Sequence, residues 1–361
     1  MKPKKHISNN PAALIKSLWP FIAAAVMFLL VRVAVNNPAL VERYYSDGFY
    51  PFYAAAASSF SGFFPFSLWD LFWGLAILAL VAGIIFVIVG RLRLRWFLLR
   101  TAQTLAILYS LFYLSWGFNY FRPELIERSG LTVIQADEEL FRTTLDTIIA
   151  RANRYYVSIN VDDYKDIDVE IEKSYEANAS NIDVGYPNGS RTPKKMIVSG
   201  LIAKLGISGY FGPFFNEVNI NAKTLPMDYP FLLAHEKAHQ FGIASEADAN
   251  FAAFAVCIAS GCDKLRYSGY LTLMMYFLGD AHQLPDYKDY VAKIEERILA
   301  DIRFSQRYYK GLRDEKMEKA HGVVYDVYLK QNNVERGIKD YNQVVKLAIS
   351  LLNSDSMQLK R

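Results

Sequence analysis

Apolar residues in the first third of the chain come in long runs rather than in alternation. Leu18 to Val31, extended to Val35 past Arg32, Trp69 to Val89 and Ala102 to Phe118 are each long enough, as helices, to cross a bilayer. The pattern predicts three transmembrane helices at about 18–35, 69–89 and 101–118. Arg32 fits the first only if its guanidinium snorkels to the interface, and Asp70 sits at the edge of the second. Trp96 and Trp116 flank the third, as interfacial aromatic belts require. Between the first two, Phe49 to Phe66 is aromatic, rich in small residues and interrupted by Pro51, Gly62 and Pro65. It reads as an aromatic loop near lipid headgroups.

From Arg122 the pattern shortens. Leu140, Leu145, Ile148, Ile149 and Ala152 predict an amphipathic helix over 137–156. Residues 157–195 are polar and read as loop or short strand, with a turn at Pro187-Asn188-Gly189. Met196 to Ser199 reads as a strand; Gly206, Gly209, Gly212 and Pro213 then punctuate a turn-rich passage. Glu217, Val218, Asn219, Ile220 and Asn221 alternate as a half-buried or edge strand does. Pro230 suits the first turn of a helix that Gly242 closes, and Ser245 caps the next. Leu271 to Leu278 is too short for a fourth span, and 287–302, 306–331 and 336–352 read as amphipathic helices. The expected organisation is a membrane part, 1–121, followed by an α+β, mainly helical part, 122–361.

Charge sharpens this division. The net charge of +4 hides a balance of +7 in the first 100 residues and −3 in the rest, so nothing favours a nucleic-acid surface in the larger part. Lys2, Lys4, Lys5 and Lys16 precede the first span, and Arg91, Arg93, Arg95 and Arg100 link the second and third. The positive-inside rule puts both groups in the cytoplasm, hence everything after Phe121 outside. An uncleaved anchor in a cytoplasmic membrane is expected, in preference to a signal peptide. Asp162, Asp163, Asp166 and Asp168 lack the Gly and Glu of a calcium loop and read as a solvated acidic face.

Candidate chemistry centres on His235-Glu236-Lys237-Ala238-His239. On a helix, residues i and i+4 share a face, so both histidines can hold one metal ion while Glu236 addresses its water. A tetrahedral zinc with one water needs a third protein ligand, for which Glu246 is the candidate. Asp248 competes, although the Ser245-x-x-Asp248 spacing gives it a capping role. Asn250, four residues after Glu246, is placed to hydrogen-bond a ligand histidine. Tyr267, Tyr270 and His282 are candidate donors to a developing oxyanion. Cys257, on an apolar helix face five residues from Cys262, reads as a buried free thiol. No Gly-x-Ser-x-Gly elbow supports a serine nucleophile.

His235-Glu236-x-x-His239 followed by Glu246-x-x-x-Asn250 resembles the zincin metallopeptidases with a glutamate third ligand, except that Asn250 stands where they carry Asp and the gap before Glu246 is short. Over nearly its whole length the chain resembles the bacterial membrane family called domain of unknown function 3810. The residues shared are Trp116-Gly-Phe-Asn-Tyr-Phe-Arg122, Gly209-Tyr-Phe-Gly-Pro-Phe214, the run from His235 to Phe251 and Arg266-Tyr-Ser-Gly-Tyr270. The zincin resemblance implies a single Zn2+ ion, Glu236 as general base and a strand, here Glu217 to Asn221, that aligns an extended peptide. The expected function is a membrane-anchored zinc peptidase acting on a peptide or protein outside the cytoplasm. The alternative is a non-catalytic envelope scaffold or interaction protein of the same fold.

Overall fold

The computed structural model describes residues 11–186, 188–331 and 343–353. Among the described residues three helices are long and apolar enough to cross a membrane: Leu18–Val35, which ends the helix Pro11–Val35, then Leu68–Ile88 and Leu94–Ser115. The third starts and stops earlier than expected, so Arg95, Trp96 and Arg100 ride on the helix and the link shrinks to a turn at Gly90. Along the second, Leu75, Leu78 and Ile88 are more than half exposed, the all-round apolar surface that lipid covers.

The aromatic stretch 49–66 is mostly helix, correcting the expected loop. A π-helical segment, Val41–Phe49, runs without a break into the helix Tyr50–Gly62, with Pro51 at the junction. This helix lies under the C-terminal part. Tyr53 donates its hydroxyl to the carbonyls of Pro213 and Phe214 at 3.2 and 2.9 Å, and Lys194 donates to the Ser61 carbonyl at 3.2 Å.

The C-terminal part is mainly helical. Its core surrounds the helix Glu246–Ala259, whose Phe251, Phe254, Val256 and Cys257 are at most 1% exposed. Against it pack the motif helix Tyr229–Gln240 and the helices Tyr164–Asn178, Asp263–Ala281 and Gln343–Asn353. The helix Glu138–Tyr155 closes the other side of Asp263–Ala281, with Asp137 capping it through Leu140 N–H at 2.8 Å. The polar stretch 157–195, read as loop, holds the helix Tyr164–Asn178 because Ile167, Ile171 and Tyr175, four apart, turn one face inward. The acidic residues around it are not simply solvated. Asp163 pairs with Lys264, and Asp168 meets the fully buried Lys237 at 2.6 Å, with Glu172 as its second partner. Pro187 of the expected turn lies outside the described residues, as do 336–342 of the last amphipathic stretch.

Among the described residues there are three short strands: β1 (Lys194–Lys195), β2 (Gly209–Gly212) and β3 (Glu217–Ile220), in the order β1-β3-β2. β1 runs parallel to β3 and β2 antiparallel. The strand expected at 196–199 lies just before those residues, at Lys194–Lys195, and Ser199 begins a helix to Lys204. Of the glycine passage expected as turns, Gly206 and Pro213 do lie in turns, but Gly209–Gly212 between them is the strand β2. β3, expected as a half-buried or edge strand, is fully buried at the centre of the sheet, with both of its sides taken.

Candidate metal centre

The site is assembled by a helix, a turn and a second helix. Pro230 starts the motif helix in its first turn, above Asp228 at the N-cap. At the far end Gly242 takes φ +87°, a left-handed conformation that costs glycine little, and two bonds close the end: Gly242 N–H to His239 O at 3.0 Å and Ile243 N–H to Ala238 O at 3.1 Å. Ser245 caps the next helix by accepting Asp248 N–H at 3.3 Å. The Asp248 carboxylate accepts the backbone N–H of Leu125 at 3.2 Å, whereas Glu246 turns toward the histidines.

His235 Nε2 lies 3.2 Å from His239 Nε2 and 3.2 Å from Glu246 Oε2; His239 Nε2 is 3.7 Å from Glu246 Oε1. Ligand atoms held at about 2.0–2.1 Å around a tetrahedral ion stand roughly 3.3 Å apart, so these separations fit one zinc-sized cation. His239 is oriented from behind: Nδ1 donates to the Ile243 carbonyl at 2.7 Å, which leaves the Nε2 lone pair for a metal. The hydrogen bond expected from Asn250 to a ligand histidine is not formed. Its Nδ2 and His235 Nδ1 are both buried without a partner.

Electrostatics follow from burial. Burial would raise the Glu246 carboxyl, but hydrogen bonds and charge from His235 and His239 outweigh it and hold the group well below the usual carboxylate range. Burial lowers His239, yet Glu246 and Glu236 together push it up to about 9. Glu236 is raised by burial to about 6 against the pull of both histidines. This carboxylate also shapes β2: a Cβ at Gly209 would meet Glu236 Oε1 at 2.5 Å, so only glycine lets the strand pass so close.

The ligand cluster and Glu236 open into a cavity of about 760 Å³. β2 and its approach, Ile207 to Phe211, form one wall; Trp69 and Trp73 of the second apolar helix and Leu108 and Phe112 of the third form another. His321 and Tyr325, from the helix Glu315–Gln331, cover it, with the Tyr325 hydroxyl bonded to Glu246 Oε1 and its ring stacked on His321. These two residues were missed in the sequence because no local pattern ties a distant amphipathic helix to the motif. The expected donors are elsewhere. Tyr267 is buried and donates to Asp301 at 2.7 Å, Tyr270 accepts from Arg151 at 2.7 Å, and His282 ends its helix beside Tyr287; none lines the cavity. Nor does any of Glu217 to Asn221: Glu217 instead accepts Leu68 and Trp69 N–H at 3.3 and 3.0 Å, capping the second apolar helix. The edge strand beside Glu236 is β2.

The motif helix is also moored to the N-terminal part. Its last carbonyls, with no partners within the helix, receive Trp116 Nε1–H (His239 O, 3.0 Å), Tyr50 O–H (Gln240 O, 2.7 Å) and, just beyond, Arg122 Nη1–H (Gly242 O, 3.1 Å). Arg122 is itself held by Glu42 at 2.6 Å. Cys257 and Cys262 are free thiols.

No curated protein and no solved structure matches the chain. A family model does, over residues 45–349, a span that takes in the mooring aromatics, β2, the ligand cluster and the covering helix. The chain belongs to the family described as protein of unknown function (DUF3810).

Proposed function

We propose that this chain is a membrane-anchored zinc-dependent hydrolase, a peptidase of the zincin type. One observation carries the reading: the side-chain ligand atoms of His235, His239 and Glu246 all lie within 4.8 Å of one another, in the same cavity as Glu236. Bound there, zinc would supply Lewis acidity and lower the pKa of a water to about 7. Glu236 takes the proton of the attacking water and passes it to the leaving amine as the C–N bond breaks. Ile243 O fixes the His239 ring. Tyr325 and His321 replace Tyr267, Tyr270 and His282 as donors toward the oxyanion. In this reading the basic residues at the N-terminus and around Gly90 face the cytoplasm, the site faces outward from a bacterial inner membrane, and the partners are the lipid bilayer and a peptide or protein outside the cell's interior.

Purified in lipid, the protein is expected to hold one zinc per chain and to cleave a mixed peptide library. A chelator should stop cleavage and added Zn2+ restore it. A preparation that holds no stoichiometric zinc, or that cuts equally well without it, contradicts the proposal. The bond between Tyr325 and the ligand carboxylate favours a second reading, a non-catalytic scaffold in which the phenol closes the metal's remaining position. The cavity beside Glu236 supports the first.

A further inference from the structure

The walls of the cavity define what kind of peptide fits it. Trp69 and Trp73 lie in the first two turns of the second apolar helix, and Phe112 and Leu108 in the last two or three turns of the third. At 1.5 Å per residue, Leu108 stands about 10 Å inside the end of its helix. The cavity thus starts at Glu236 and continues down between two membrane-type helices. These two helices touch at their opposite ends, where Gly83 receives the Phe97 ring so closely that a Cβ would come within 2.4 Å of it. At the site end both helices line the cavity, and Trp73 keeps 37% of its surface exposed. Leu71 and Leu111, on the same two helices, are 41% and 43% exposed, so this wall adjoins the apolar surface that lipid would cover.

We infer that the substrate is a polypeptide with an apolar membrane-embedded segment, which enters between the second and third apolar helices and presents the adjoining extended stretch to β2 and Glu236. The inference rests on the hydrolase reading and deepens it. Two chemistries converge in one continuous space. The apolar floor of Trp73, Leu108 and Phe112 accepts a membrane segment, whereas the edge of β2 beside Glu236 offers backbone donors and acceptors that an extended peptide satisfies by adding a strand. A lipid has no main chain to use that edge. The latch at the top of the second helix keeps floor and edge in register: Asp70 accepts Ile197 N–H at 2.6 Å and the Tyr210 hydroxyl, and Glu217 caps Leu68 and Trp69. The bond cut would then lie a few residues outside the bilayer. Water adds to its carbonyl carbon, the C–N bond breaks, and the new amine takes the proton through Glu236.

The test uses the full chain in lipid nanodiscs and three forms of one randomised peptide library. The first is soluble, the second is fused directly to a Leu/Ala anchor of about 20 residues, enough to span, and the third has a long Gly/Ser spacer before the same anchor. Directly fused peptides should be cut about tenfold or more faster in kcat/KM than spaced ones. Both are equally confined to the disc, so confinement alone predicts equal rates, and equality would overturn the inference. In parallel, a benzophenone in the anchor is cross-linked to the Glu236→Gln protein, which requires no turnover. The cross-links should map to tryptic fragments holding Trp73 and Leu108. Cross-links spread over the first apolar helix, or none because lipid fills the gap, would also overturn it. Cross-links at the gap without any cleavage by the wild-type chain would leave the membrane-segment site standing and refute the hydrolase reading instead.

Discussion

At the scale of single residues, the arrangement gives Tyr325 a role that Tyr267 and Tyr270 cannot have, since their hydroxyls are engaged in the core. Removing the Tyr325 hydroxyl with Tyr325→Phe is expected to lower kcat about 10²-fold with KM changed far less, the pattern of a donor used in the transition state. An unchanged kcat in peptide hydrolysis would leave the residue as a cover only. Asp228 offers a pH signature. Burial, opposed by the hydrogen bond from Tyr309 at 2.8 Å, raises its carboxyl to about 6. The folded group then keeps its proton to higher pH than the unfolded one, so stability is lost as pH rises from about 4 to about 6. Unfolding temperatures of the wild type should fall relative to Asp228→Asn across that window and run parallel above it.

At the scale of elements, the motif helix has two working faces. One carries His235, Glu236 and His239; the other buries Lys237 among Asp168, Glu172 and the Arg191 carbonyl. Cutting Lys237 back to Ala strands the Asp168 carboxylate, while Glu172 keeps Arg191 and Tyr186, and is expected to cost about 3–5 kcal/mol, read as a lowered unfolding midpoint with no ligand atom touched. A loss under 1 kcal/mol would mean that water reaches the cluster. Much of this helix was legible in sequence: Pro230, Gly242, Ser245 and the i, i+4 histidines obey local rules. β2 was not, because glycines at 209 and 212 signal turns by composition, and here they serve close approach, to Glu236 in the first case. The helix Tyr164–Asn178 was hidden by charge, since Asp168 and Glu172 look solvated until Lys237, some seventy residues later, is placed against them. The edge role given to β3 failed for a related reason: alternation shows which face is buried and says nothing about how many neighbours a strand has.

At the scale of the molecule, the three apolar helices were legible because predominantly apolar stretches of 18 to 22 residues admit few readings. What the sequence concealed is how tightly they are joined to the rest. Trp116, Tyr50 and Arg122 hold carbonyls at the end of the motif helix, and Glu217 and Asp70 hold the second apolar helix to the sheet. These are contacts between residues about 100 to 190 positions apart, beyond any local pattern. Metal should therefore stabilise the whole assembly: zinc at a thousandfold excess over its Kd adds about 4 kcal/mol. Chelation should lower a single unfolding transition by several degrees, and two separate transitions would show that the membrane helices and the helical part unfold independently.

The central claim is that Glu236 acts as the base beside a metal held by His235, His239 and Glu246. Its most direct test is the rate of peptide hydrolysis by Glu236→Gln at zinc occupancy matched to wild type. The account predicts a loss of 10²–10⁴-fold or more with the metal retained. A variant that binds zinc and hydrolyses at the wild-type rate would contradict it.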